Sequence, residues 1–190
     1  LALAGLLVGC LVGLTGMGGG AVMTPLLILL GVPSTAAVGT DLAYSAITKT
    51  IGAVRHHQLD HVDYRLAAWF ATGSVPAAVL GVVTLDRLQE AMGDDVDDLI
   101  QQLLGGALVI AGAAFLLKTW VRGREGAAPA VLDLRAKVLA ASIGLVFGYV
   151  LGLTSVGSGT FFGMALVLLF RLPARRVVGT DVAHAAVLVW

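Results

Sequence analysis

Two stretches of this chain, residues 1–30 and 138–170, contain no charged side chain. About 20 consecutive apolar residues suffice for a helix to cross the hydrocarbon core of a bilayer, and a soluble core helix is rarely so long and so uniformly apolar. Residues 66–85 and 99–117 are also uncharged, and residues 36–54 carry only Asp41 and Lys49. Composition agrees: 13% of residues are charged, against roughly one-quarter in a soluble domain. The sequence predicts an all-α polytopic membrane protein.

The two uncharged stretches are copies of one segment. GLLVGCLVGLTGMGGG from Gly5 matches GLVFGYVLGLTSVGSG from Gly144, and PSTAAVGTD ending at Asp41 matches PARRVVGTD ending at Asp181. The offset is 139 residues over the glycine-rich half and 140 over the GTD half. Paired hydrophobic segments interrupted by glycine at matching places are the best sequence pointer to a transporter's binding site. Two homologous repeats follow, each opening with a glycine-broken helix: residues 1–121, then a basic cytoplasmic loop at 122–137, then 138–190. Without an initiator Met, and with only 14 residues from Val177 to Trp190, the second repeat is expected to be truncated here.

Loop charges bear on topology, since Lys and Arg collect on the cytoplasmic side. Residues 118–137 hold five Lys or Arg, the 171–176 turn holds Arg171, Arg175 and Arg176, and the 86–98 loop is mainly acidic. If 138–170 crosses once, the two basic loops lie on opposite faces. If it enters and returns as a re-entrant hairpin, every basic loop is cytoplasmic and the repeats are inverted. The charge pattern favours the hairpin.

Each half of such a hairpin has about 15 residues, roughly 22 Å as helix, which reaches mid-membrane. Non-helical backbone is tolerated there only inside protein or beside a water-filled cavity. Thr15, Gly16, Gly18, Gly19 and Gly20 in the first copy, and Thr154, Ser155, Gly157, Ser158 and Gly159 in the second, are the candidate substrate contacts. Glycine permits close backbone approach, and the helix beginning after each break would aim N–H groups at a small anion. The four-residue spacing of Gly5, Gly9 and Gly13, and of Gly144, Gly148 and Gly152, reads instead as tight helix packing. No Lys-Ser or Lys-Thr follows the glycines, which argues against a nucleotide phosphate loop.

Ionisable residues within spans usually face an internal cavity. Asp41, Ser45, Thr48 and Gly52 share one helical face. Asp41 and Asp181 fit either a proton or cation relay or a first-turn helix cap. His184, one turn past Asp181, is the third relay candidate, against a packing role for its imidazole. Thr40 and Thr180, which precede the aspartates, join the candidate substrate contacts. Lys49 could bind the anion or snorkel to the cytoplasmic face, since it lies roughly 80° around the helix from Asp41 and near Arg55. His56, His57 and His61 match no strong metal motif and read as solvated loop residues. Cys10 has no mate and reads as a small packing residue. Gly157-Ser158-Gly159 with His184 superficially suggests an intramembrane serine hydrolase, but Ser158 replaces Gly19 in the aligned copy, as a repeated binding loop would allow.

The segment LVGLTGMGGGAVMTPLLILLGVPSTAAVGTDLAYSAITKTIGAVRHHQLDHVDYR resembles the amino-terminal repeat of the sulfite exporter TauE/SafE family. GLTSVGSGTFFGMALVLLFRLPARRVVGTDVAHA resembles the start of its second repeat. The resemblance implies about eight membrane helices in the cell (inner) membrane and export of sulfite, sulfonates or related small anions. The chain departs from it in lacking the final helices and in having Ser155 and Ser158 where the first break has Gly16 and Gly19. The expected protein is an exporter of small anions, with a passive channel as the alternative. It is not expected to be an enzyme, nor to need a cofactor or metal. Its expected partners are the anion and the bilayer, with no nucleic acid.

Overall fold

Proline and glycine punctuate the polar turns of this chain, and helices fill the apolar stretches between them. The computed structural model describes residues 5–6, 9–10, 20–93, 95–120, 133–157 and 159–190. Among these no strand is found; residues 5–6 and 9–10 are helical, and α1 (Gly20–Leu29), α2 (Ser34–Gln58), α3 (Tyr64–Met92), α4 (Asp95–Trp120), α5 (Leu134–Thr154), α6 (Phe161–Leu168) and α7 (Ala174–Leu188) follow. Pro33 and Pro173 stand immediately before α2 and α7. Proline is well suited to a helix start, because its missing N–H would have had no intrahelical partner there. Asp63 and Asp133 cap α3 and α5, accepting from the backbone N–H groups of Leu66 (3.2 Å) and Ala136 (2.8 Å).

Tyr64–Met92, Asp95–Ala113 and Leu134–Thr154 are long and apolar enough to cross a membrane. The 25-residue α2 is long enough but is not in that group, because Asp41, Lys49 and several hydroxyl residues interrupt its apolar character. The helix is a polar-lined element within an apolar bundle.

The tightest pairing is α3 on α5. A Cβ at Gly148 would sit 2.5 Å from the Ser74 carbonyl oxygen, and one at Gly81 would sit 2.6 Å from that of Tyr149. Gly73, Gly144 and Gly152 face the partner backbone with as little room. Small residues allow such close approach, and the packing role expected of Gly144, Gly148 and Gly152 is borne out. Among the described residues nothing lies within 4 Å of a Cβ at Gly5, one at Gly9 would meet the Tyr44 hydroxyl at 3.2 Å, and Gly13 is outside the described residues. Contacts advance together, from Phe70 with Gly144 to Ala78 with Gly152, so α3 and α5 run parallel. Their starts are also joined, with the Lys137 ammonium 5.6 Å over the Trp69 ring.

By contrast, α2 and α7 run in opposite directions. Thr50 accepts from the Trp190 indole N–H at 2.9 Å, Gly52 faces Val182, and Gly179 lies on His61, just beyond the end of α2. The Asp63 N–H also donates to Thr180 Oγ1 at 2.9 Å. Thus α7 begins beside the 59–63 turn, the end of the molecule at which α3 and α5 also begin. Phe70 near that end packs on Phe170 at 5.7 Å between ring centroids. The chain from Asp133 to Ala174 therefore leaves one end of the molecule and comes back to it. At the far end, Asp97 at the start of α4 accepts from the Ser34 backbone N–H at 3.1 Å, putting a carboxylate on the positive end of α2.

Candidate functional site

The turnaround point of that path is the break between α5 and α6. Helix α5 stops at Thr154, Ser155 takes a left-handed conformation (φ 59°), and α6 does not begin until Phe161. The Thr154 hydroxyl bonds back to Val150 O at 2.7 Å and accepts from Val156 N–H at 3.2 Å, tying off the end of α5. Gly159, at φ 82°, adopts backbone geometry that favours glycine. Phe161 and Phe162 donate their N–H groups to Gly157 O. The start of α6 therefore offers fewer free donors to an anion than the sequence suggests.

Into this break points the Asp41 carboxylate of α2, fully buried, accepting a hydrogen bond from the Ser155 hydroxyl across 114 residues of sequence. Its second oxygen, Oδ1, has no hydrogen-bond partner among the described residues. On α7, Asp181 and His184 are buried. The half-buried Lys49 interacts electrostatically with Asp181 and, more weakly, with Asp41. It also acts on His184. The His184 Nε2 is 2.8 Å from Ser74 Oγ of α3, and its ring packs on Phe162 at 4.4 Å and Phe70 at 5.8 Å. Its Nδ1 has no hydrogen-bond partner among the described residues.

The result is two carboxylates, one ammonium and one imidazole gathered around a broken helix, amid otherwise apolar packing. Uncompensated charge is expensive in such surroundings. With the imidazole neutral and the other three groups ionised, the cluster would carry one negative charge. Such a cluster can exchange protons and can present a cation to an anion.

A family model described as Sulfite exporter TauE/SafE matches residues 1–190, the whole chain. The chain belongs to this family. A probable membrane transporter protein of Bacillus subtilis (strain 168), YjnA, is 41% identical over 98% of this chain and 74% of its own length. A second from the same organism, YdhB, is 25% identical over 92% of this chain and 68% of its own length. No solved structure matches. This TauE/SafE chain is a membrane transporter, as its apolar helices and relatives indicate.

Within this TauE/SafE protein, Asp41, Ser155, Lys49, Asp181 and His184 are brought together, with Thr154, Gly157 and Gly159 alongside in the break. Thr15, Gly16, Gly18, Gly19 and Ser158 lie outside the described residues, and Gly20 opens α1. Thr40 is exposed, and the Thr180 hydroxyl is engaged by the Asp63 N–H rather than turned to the cluster. Thr48, expected on the Asp41 face, is exposed and bonds back to Tyr44 O at 3.1 Å. The cap reading of Asp41 and Asp181 fails, because α2 and α7 start at Ser34 and Ala174, seven residues earlier. That is about two turns, beyond the first turn where capping operates. Sequence reasoning missed Ser74 and Thr24, both fully buried, with Thr24 Oγ1 lacking a partner among the described residues. A hydroxyl in an otherwise uncharged span was the available signal.

Proposed function

We propose that this transporter exports small anions, such as sulfite, organosulfonates or related sulfur and carboxylate anions, across the cell (inner) membrane with proton coupling. Its site is the meeting of the glycine breaks with Asp41, Lys49, Asp181 and His184. The observation that carries the reading is the bond from Ser155 of one break to Asp41 of the other GTD helix. It joins the two copies of the repeated segment at one buried point, as transporters built from repeats do at the midplane. The opposed directions of α2 and α7 support an inverted relation between repeats 1–121 and 138–190. The shared end occupied by Lys137 and the start of α7 supports a re-entrant hairpin, with the basic loops cytoplasmic and drawing anions to the inner mouth.

The topology predicts that single cysteines at Arg135 and at Arg175 label from the same, cytoplasmic, side of sealed cells. Labelling from opposite sides would leave a broken helix that spans. The function is tested by flux of sulfite, methanesulfonate and acetate in proteoliposomes under an imposed pH gradient. Accumulation of an anion against its own gradient, collapsing when the pH gradient is dissipated, is expected. Flux that only ever runs downhill would mean a passive channel instead.

A further inference from the structure

Helices α1 and α2 end in the same backbone turn, filled with different side chains. After α1, the Gly31 N–H (φ 84°) donates to Ile28 O at 2.9 Å and that of Val32 to Leu27 O at 3.0 Å. After α2, the Asp60 N–H (φ 53°) donates to His57 O and that of His61 to His56 O, both at 3.1 Å. This closure brings together the side chains at the two ends of its longer bond, and an apolar pair commonly occupies those positions. After α1 the two are Leu27 and Val32. After α2 they are His56 and His61, with ring centroids 5.8 Å apart. Both histidines are half-buried rather than solvated, as loop histidines were expected to be.

The same turn holds the start of α7. A Cβ at Gly179 would sit 2.5 Å from His61 O and 2.8 Å from His61 Cβ, and the Asp63 N–H donates to Thr180 Oγ1 at 2.9 Å. The next residue, Asp181, belongs to the charge cluster. Histidine changes charge between about pH 5 and 8. Two imidazoliums at this separation repel by roughly threefold to a hundredfold in an equilibrium constant, from the dielectric limit of water to that of a protein surface. Burial first, and His61 second, hold the His56 imidazole below its ordinary range, so the folded turn favours the neutral ring. That stability is complete above about pH 6.5 and is lost as pH falls below it. Asp60 and Asp63 of the turn favour protonation. Arg55 of α2, Arg65 of α3, and Arg175 and Arg176 of α7, one helical turn before Gly179, oppose it. The remaining titratable groups, His57 and Tyr64, are joined to each other at 2.7 Å.

We propose that His56 and His61 are a pH-sensitive latch, in which protonation of both rings drives them apart and loosens the 59–63 turn from the start of α7. Thr180 and Asp181 then lose their fixed position, and transport slows when the compartment at this end, the cytoplasm in the topology above, acidifies. The effect on transport rests on the reading of the charge cluster as the transport site. The latch itself rests only on the packing of the turn.

The test is amide hydrogen exchange of the purified intact protein at about pH 8 and about pH 5, expressed as protection factors so that the intrinsic pH dependence of exchange is removed. Residues 55–63 and 174–181 should lose about tenfold in protection at the lower pH, while residues 134–154 of α5 keep theirs. The double variant His56→Leu/His61→Val, with an apolar pair like that after α1, should be equally protected at both. The single variant His56→Gln removes one of the two charges and should behave the same way, which serves if the double variant does not fold. Unchanged protection of 174–181 in the wild type, a loss shared equally by α5, or the same loss in these variants would overturn the proposal. Methanesulfonate flux in proteoliposomes with equal pH on both faces should fall more steeply on acidification in the wild type than in the variants. An equal fall would overturn the link from latch to transport. Absence of flux at every pH would overturn the transport reading instead, with the exchange measurement still deciding the latch.

Discussion

Gly148→Leu is expected to prevent the protein from accumulating in folded form, the largest stability effect of any single substitution suggested by the structure. A Cβ at this position would meet the Ser74 carbonyl oxygen at 2.5 Å and the Ser74 Cα at 2.6 Å. Both obstacles are backbone, so no rotamer change relieves them. Overpacking typically costs 1–3 kcal/mol when side chains can shift, and here α3 and α5 must separate, so the loss should exceed about 3 kcal/mol. Separation would also move Ser74 away from His184, disturbing the charge cluster from the opposite side of the helix. Gly105→Leu on α4, where nothing among the described residues lies within 4 Å of a Cβ, is the control and should fold normally. Monodispersity and thermal unfolding of the detergent-solubilised proteins are the measurements. A Gly148→Leu variant with the wild-type melting temperature would mean that α3 and α5 do not pack as described.

That packing was half legible. The four-residue glycine spacing of α5 announced a contact face, but its partner, Gly73, Ala77 and Gly81, has the same spacing and went unread inside a span that also contains Ser74 and Pro76. The break at Ser155–Thr160 was legible because glycine and serine there are poor helix formers with no apolar face to bury. The partner of Asp41 was not legible, since Ser155 is 114 residues away and only the packing of α2 against the end of α5 brings them together. The cap reading failed for a local reason: Pro33 and Pro173, not the GTD sequences, set where α2 and α7 begin. Lys49 appeared to point away from Asp41 because helical angles describe one helix in isolation. A long side chain and the neighbouring α7 bring its ammonium within electrostatic reach of Asp181, Asp41 and His184.

The position of Lys49 makes its replacement the sharpest functional test. Lys49→Met is expected to lower anion flux by about 100-fold, the equivalent of losing roughly 3 kcal/mol of anion interaction. It leaves Asp41 and Asp181 without their shared cation, so the protein should also be destabilised. Breaking a fully buried pair costs about 3–5 kcal/mol, and half-buried Lys49 belongs at or below the lower end of that range. The double variant Lys49→Met/Asp181→Asn returns the cluster to one negative charge. Its melting temperature should recover toward wild type while its flux stays low, because charge balance is restored but no cation faces the anion. Lys49→Arg should retain more flux than either. If Lys49 merely snorkels toward the cytoplasmic surface, Lys49→Met should transport at the wild-type rate, and the double variant should be no more stable than the single. That pattern would remove Lys49 from the site and leave the anion to be held by the backbone of the breaks.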